Sequence, residues 1–140
     1  MTAGRLLVNA VSCRQGGGIT DLKGTIPVLA SALDALGWSI EVCVSENGQN
    51  ALAEVDFPES RSHLVRGEGW LSRARWEMVG YPTLANVREA TVAMQFSNFA
   101  PKRLGIPQLV VFRNAKYFLP PRSSVPNMGK PTLRDRLGRR

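Results

Sequence analysis

The chain reads as an α/β protein, a Rossmann-like doubly wound parallel sheet of about five strands. Three observations predict it. Strand-like and helix-like apolar patterns alternate along the chain, about every dozen to twenty residues. The strand candidates are mostly short continuous apolar runs, as expected for strands buried on both faces of a parallel sheet. The first of them leads directly into a glycine-rich turn, CRQGGGITD at residues 13–21, ahead of an amphipathic stretch.

Taken in order, Leu6–Val11 is an apolar run interrupted by Asn9 and forms the first strand. Ile19, Leu22, Ile26, Leu29, Leu33 and Leu36 then recur at spacings of three and four, which places them on one helical face. Gly37 stands where that helix would end in a left-handed cap. Pro27 has no N–H for the Lys23 carbonyl and is expected to kink the helix or divide it near Ile26. Ser39–Val44, SIEVCV, is the second strand, bounded by the turn-prone ENGQN, and His63–Arg66 is a short third. Trp70–Val79 has helical composition. Gly80-Tyr81-Pro82 is expected to break it, and Thr83–Arg88 resumes as a short helix before the apolar run Thr91–Phe96. Gln108–Phe112, after Ile106-Pro107, is the last strand.

Strands joined through helices lie parallel, and ligands of such sheets bind beyond the carboxyl ends of the strands near a topological switch point. That rule selects the loops 12–20, 45–50, 97–100 and 113–116 for functional residues. The glycine loop lacks the Gly-Lys-Ser/Thr ending of a P-loop, which disfavours a nucleoside triphosphatase. It also departs from Gly-x-Gly-x-x-Gly, and Glu46 comes late for the acid of a dinucleotide site. What it retains is generic. Glycines allow a tight strand-to-helix turn and let a ligand approach amides at a helix N-terminus, where anions are favoured. On the loop alone, a phosphate neighbour and a mere corner are equal readings.

At 140 residues, with a hydrophobic fraction of 44%, the chain is one domain or part of one, and it has enough apolar side chains for a core without staples. Two cysteines, Cys13 and Cys43, are too few for a secreted disulfide framework and fit a reduced, cytoplasmic compartment. No apolar run approaches the roughly 20 residues that span a bilayer. The net charge is +7, and the segment from Arg122 to Arg140 supplies a surplus of five of it. Residues 1–121 are therefore read as the folded domain and 122–140 as a basic linker or tail. Such a tail is suited to phosphates or an anionic membrane surface, without specificity for nucleic acid.

Other chemical constellations are thin. His63 is the single histidine and has no partner at metal-ligand or triad spacing, so it is read as structural and no metal is expected. Glu54, Asp56 and Glu59 flank Phe57-Pro58 as surface solvation. Trp70, Arg73, Trp76 and Glu77 occupy adjoining faces of one helix, with packed tryptophans and solvated arginines as the favoured reading. An interfacial helix on acidic lipid is the minority one.

Four segments together carry a family resemblance: RLLVNA, GGGITDLKGTIPVLASALDALG, SRARWEMVGYPTLAN and FSNFAPKRLGIPQLVVFRNAKYFLP. Over about residues 5 to 120 the chain resembles the N-terminal half of retaining GT-B glycosyltransferases. These form the large family that includes many bacterial polysaccharide and lipopolysaccharide mannosyl- and glucosyl-transferases. The resemblance implies an acceptor-side half that works with a donor-binding domain across a cleft, a nucleotide-sugar as donor substrate, a glycan or lipid-linked acceptor, and no bound cofactor or metal. It also implies a cytoplasmic enzyme, peripheral at the inner membrane surface. By motif position, Gly16, Gly17, Gly18 and Thr20 would lie near the donor phosphates, and Asn98 and Asn114 would face the acceptor. Where many members carry a histidine after the fourth or fifth strand, this chain has Ser97-Asn98-Phe99 and Arg113-Asn114-Ala115. The donor half, with its paired glutamates, is expected on a continuation or a partner chain, without which no sugar transfer is expected. The alternatives are a stand-alone α/β module for a nucleotide or other anion, and an interaction protein using its basic tail.

Overall fold

A computed structural model of the chain describes residues 3–67, 69–97, 100–102 and 104–112. Five strands form one all-parallel sheet: β1 (Arg5–Asn9), β2 (Ser39–Val44), β3 (Ser62–Leu64), β4 (Val92–Gln95) and β5 (Gln108–Val110). Their order is β3-β2-β1-β4-β5, so the chain winds outward from β1 in one direction and then in the other. This is the Rossmann-like, doubly wound α/β arrangement. Its switch point falls between β1 and β4.

Helices α1 (Gly17–Ala35) and α2 (Glu46–Ala53) cover one face of the sheet. Leu22, Ile26 and Ala30 of α1 and Leu52 of α2 pack there on Leu6, Val8, Ile40, Val42 and Val44. The opposite face carries α3 (Gly69–Arg75), a π-helical turn (Trp76–Gly80) and α4 (Tyr81–Val87), which follow one another without a gap. Tyr81 and Ala85 pack there on Leu7, Cys43 and Ala93. Successive strand residues point to opposite faces, so even positions of β1 serve the first core and odd ones the second. Both faces are covered, and Leu6, Leu7 and Val8 are consecutive apolar residues for that reason.

Several local expectations are corrected. Pro27 does not divide α1, which runs as one helix of 19 residues. Leu36 does not join the buried face. It lies past the last helical residue and is 70% exposed, while Ala30 takes a core position instead. Gly37 does adopt the left-handed conformation, with φ 71°. Its N–H donates to Asp34 O at 3.1 Å and the Trp38 N–H to Leu33 O at 2.9 Å, the paired bonds of a Schellman cap.

ENGQN is not a turn but the start of α2. Ser45 caps it, its Oγ accepting from the Gly48 N–H at 3.4 Å. Gly48 sits there for closeness: an added Cβ would fall 3.0 Å from Val44 Cβ and 3.5 Å from Leu22 Cδ2. Gly80-Tyr81-Pro82 likewise does not interrupt the helix. One wider turn, with the Tyr81 N–H donating to Trp76 O, carries the helix into α4, whose second residue is Pro82. β1, β3, β4 and β5 are each shorter than the runs Leu6–Val11, His63–Arg66, Thr91–Phe96 and Gln108–Phe112. Hydrophobic burial continues beyond the strand ends, as at Ala10, Val11 and Phe96.

Candidate functional site at the carboxyl edge

The sheet register aligns one row of side chains at the carboxyl end: His63, Cys43, Asn9, Gln95 and Val110 are successive neighbours. Asn9 and Gln95 flank the switch point and are buried, at 2% and 0% exposure. Buried polar groups are costly unless hydrogen-bonded. The Trp76 indole meets that need for Asn9, its Nε1–H donating to Asn9 Oδ1 at 3.2 Å. Neither amide atom of Gln95 makes a hydrogen bond by distance and angle, although its amide lies beside the Tyr81 phenol. Tyr81 donates to Leu7 O at 2.7 Å and meets Trp76 edge to face at 6.1 Å. The helical segment of the second face thus tethers the floor of the edge.

Burial also decides the titration of this row. It pushes the Cys43 thiol far up from its ordinary value, with the charge of Glu41 adding to the effect. It raises the Tyr81 phenol in the same way, Cys43 adding to it. Cys43, like Cys13, is buried and in no disulfide. A thiol held protonated is neither a nucleophile nor a metal ligand. His63 pairs with Glu41, which also lies 3.6 Å from Arg88 Nε, so the histidine belongs to a structural charge cluster. Among the described residues no group of three or more His, Cys, Asp or Glu is placed to hold a metal. Nor is any helix of the described residues long and apolar enough to cross a membrane.

The glycine turn stands above this floor. Gly16 caps α1 with φ 55° and ψ −137°, a conformation open essentially to glycine, and no side chain caps the helix. Gly17 and Gly18 occupy the first turn of α1 and Thr20 is exposed in the next. An added Cβ at Gly16 or Gly17 would meet no heavy atom within 4 Å. The two loops at the switch point touch where Ser12 Oγ donates to Phe96 O at 3.2 Å. Asn98 and Asn114, assigned to the acceptor side by resemblance, lie outside the described residues, as does the basic segment 122–140.

Beside the turn, a cleft of about 410 Å³ opens over the carboxyl ends of β2 and β3, lined by Arg14, Ser45, Glu46, Asn47, Arg66 and Gly67 among others. Arg14 is held in place. Its Nε donates to Val11 O at 3.3 Å and its Nη2 to Gly67 O at 3.2 Å, while Asn47 Nδ2 donates to Arg14 O at 2.9 Å. Edge reasoning selected the loops containing Arg14 and Ser45–Asn47 but missed Arg66, because the third strand was extended through it. The strand ends at Leu64. One more bond, Val65 N–H to Val44 O, precedes a sharp departure at Gly67, with φ 133°.

Of the two tryptophans on this helical segment, Trp76 packs as expected, whereas Trp70 is 71% exposed. Arg73 pairs with Glu77 at 3.0 Å. Glu54 and Glu59 are exposed and engage Lys23 and Gln49. No protein-family model, curated protein or solved structure matches the chain.

Proposed function

We propose that the chain is the acceptor-side half of a GT-B-type glycosyltransferase, moving a sugar from a nucleotide-sugar to a glycan or lipid-linked acceptor. In this reading a donor-holding domain, on a continuation or a partner chain, faces the carboxyl edge of the sheet. The setting is the cytoplasmic face of the membrane, and Asn98 and Asn114 address the acceptor.

The observation that carries the reading is Gly17. The backbone requires glycine at Gly16 but not at Gly17, which is helical and has open space where a side chain would stand. Gly17 is the first helical residue, ahead of the helix interior where glycine is costly, and its backbone is unshielded by a side chain. With no side chain at Gly16 or Gly17, a ligand can approach the backbone of this turn closely. The uncapped amides at the start of α1 favour an anion there, as the donor's phosphates are.

The test is a titration of the chain with UDP-glucose and GDP-mannose, followed by amide NMR. Because this chain supplies only the glycine-turn contacts to the donor, the expected result is a weak but saturable shift centred on residues 16–20, with affinity falling about ten-fold, some 1.4 kcal/mol, in Gly17→Val. No shift at those residues, or affinity unchanged by the substitution, overturns the reading. Equal affinity for the bare nucleoside diphosphates favours a nucleotide-binding module over a sugar-transfer half.

A further inference from the structure

The cleft over β2 and β3 has a charge arrangement that neither the glycine turn nor the polar row explains. Arg14 and Arg66 line it together with Glu46, yet neither arginine forms an ion pair with Glu46. Arg66 and Glu46 are exposed, and neither side chain makes a hydrogen bond or ion pair with any described residue. Arg14 is spoken for only in part. Two carbonyls take two of its N–H groups, and a guanidinium has five.

That pinning aims a partly occupied, permanently charged fork along the cleft wall. Arginine forks match the geometry of phosphate oxygens, with two parallel N–H bonds to one group. Glu46, as an ionised carboxylate, only accepts hydrogen bonds. A ligand consisting of phosphate alone would leave that carboxylate repelled. One consisting of neutral sugar alone would leave both arginines without an anion. A group carrying phosphate and adjacent hydroxyls answers both, and a cavity of about 410 Å³ is within the size range of small-molecule sites.

We infer that this cleft binds a phosphorylated sugar, with Arg14 and Arg66 on the phosphate and Glu46 accepting from the sugar hydroxyls. That this ligand is the acceptor rests on the glycosyltransferase reading above; the preference of the cleft for a sugar phosphate does not. Asn47 links the two sites, since its amide holds the backbone of the loop that carries both Arg14 and the glycines.

Calorimetric titration of the chain with glucose 1-phosphate, inorganic phosphate and methyl glucoside tests the inference. Glucose 1-phosphate is expected to bind saturably and more tightly than either part. Arg66→Gln, at an exposed position that leaves the fold intact by circular dichroism, is expected to weaken it about ten-fold or more. Glu46→Gln is expected to narrow the advantage of glucose 1-phosphate over inorganic phosphate. Vesicles carrying a polyprenyl phosphoglucose form a second arm. Binding to these in preference to the soluble ester identifies the source as lipid-linked, and the reverse identifies a soluble one; either supports the site. Unchanged affinity in Arg66→Gln, or saturation by none of the probes, overturns it. Sugar-phosphate binding that persists while nucleotide-sugars fail to bind leaves the cleft standing and removes the glycosyltransferase reading.

Discussion

Tyr81 and Trp76 show how much of the carboxyl edge depends on two hydrogen bonds from the far side of the sheet. Tyr81 is fully buried and donates to Leu7 O, while Trp76 brings its indole N–H to Asn9. Removing one partner of a buried bond costs about 1–3 kcal/mol. Tyr81→Phe and Trp76→Phe should each lower the unfolding free energy by that amount, read as a lower urea midpoint with an unchanged slope. A midpoint unmoved in both variants would show that these bonds do not hold the edge. Spacing alone places Trp70, Arg73, Trp76 and Glu77 on adjoining helix faces. It does not say which tryptophan turns inward, because that depends on where Asn9 of a distant strand presents its amide. That Arg14 and Arg66 share a cleft escaped sequence reading for a similar reason: they are 52 positions apart, and only the β1–β2–β3 pairing brings their loops together.

At the scale of elements, α2 is the clearest case of local chemistry with two meanings. Asn, Gly and a preceding Ser suit a turn, yet the same Ser suits an N-cap, and Gly suits a helix pressed against a strand. Packing decided between them, since Gly48 leaves room for Val44 and Leu22 beneath α2. Ser45→Ala should cost about 1 kcal/mol by loss of the cap. Gly48→Val should cost more, about 1–3 kcal/mol from overpacking, even though valine is the better helix former of the two. Thermal or urea unfolding of the two variants checks the order, and a Gly48→Val protein as stable as wild type would contradict the close approach. Amphipathic periodicity made α1 legible as a helix with Leu22 and Ile26 on its buried face, but not in Ala30, which is buried, or Leu36, which lies past its end. The helical segment from Gly69 to Val87 was legible in its parts but not in its continuity. A π-helical turn depends on non-local packing around Trp76 and Tyr81, which no local propensity records.

For the whole molecule, the buried thiol and phenol tie stability to alkaline pH. Their protons are held more tightly in the folded state than in the unfolded chain, where Cys43 ionises near 9.0 and Tyr81 near 10.0. The unfolded state therefore binds fewer protons above those values. Stability is flat below them and falls as pH rises, by up to about 1.4 kcal/mol per pH unit for each group. Urea midpoints measured from neutral pH to above 10 should decline first through the thiol range, with Cys43→Ala removing that first part. A constant midpoint across the range would contradict the burial of both groups. The sequence by itself determined the α/β class, the parallel sheet of five strands, the glycine turn at its edge and most of the helix and strand order. These follow from apolar period and turn chemistry, which are local properties of consecutive residues. Tertiary structure alone decided that Asn9 and Gln95 flank the switch point, that Gly17 faces open space, and that Arg14, Glu46 and Arg66 share a cleft. Those are relations between loops far apart in the chain, set by strand register and helix packing rather than by any nearby residue.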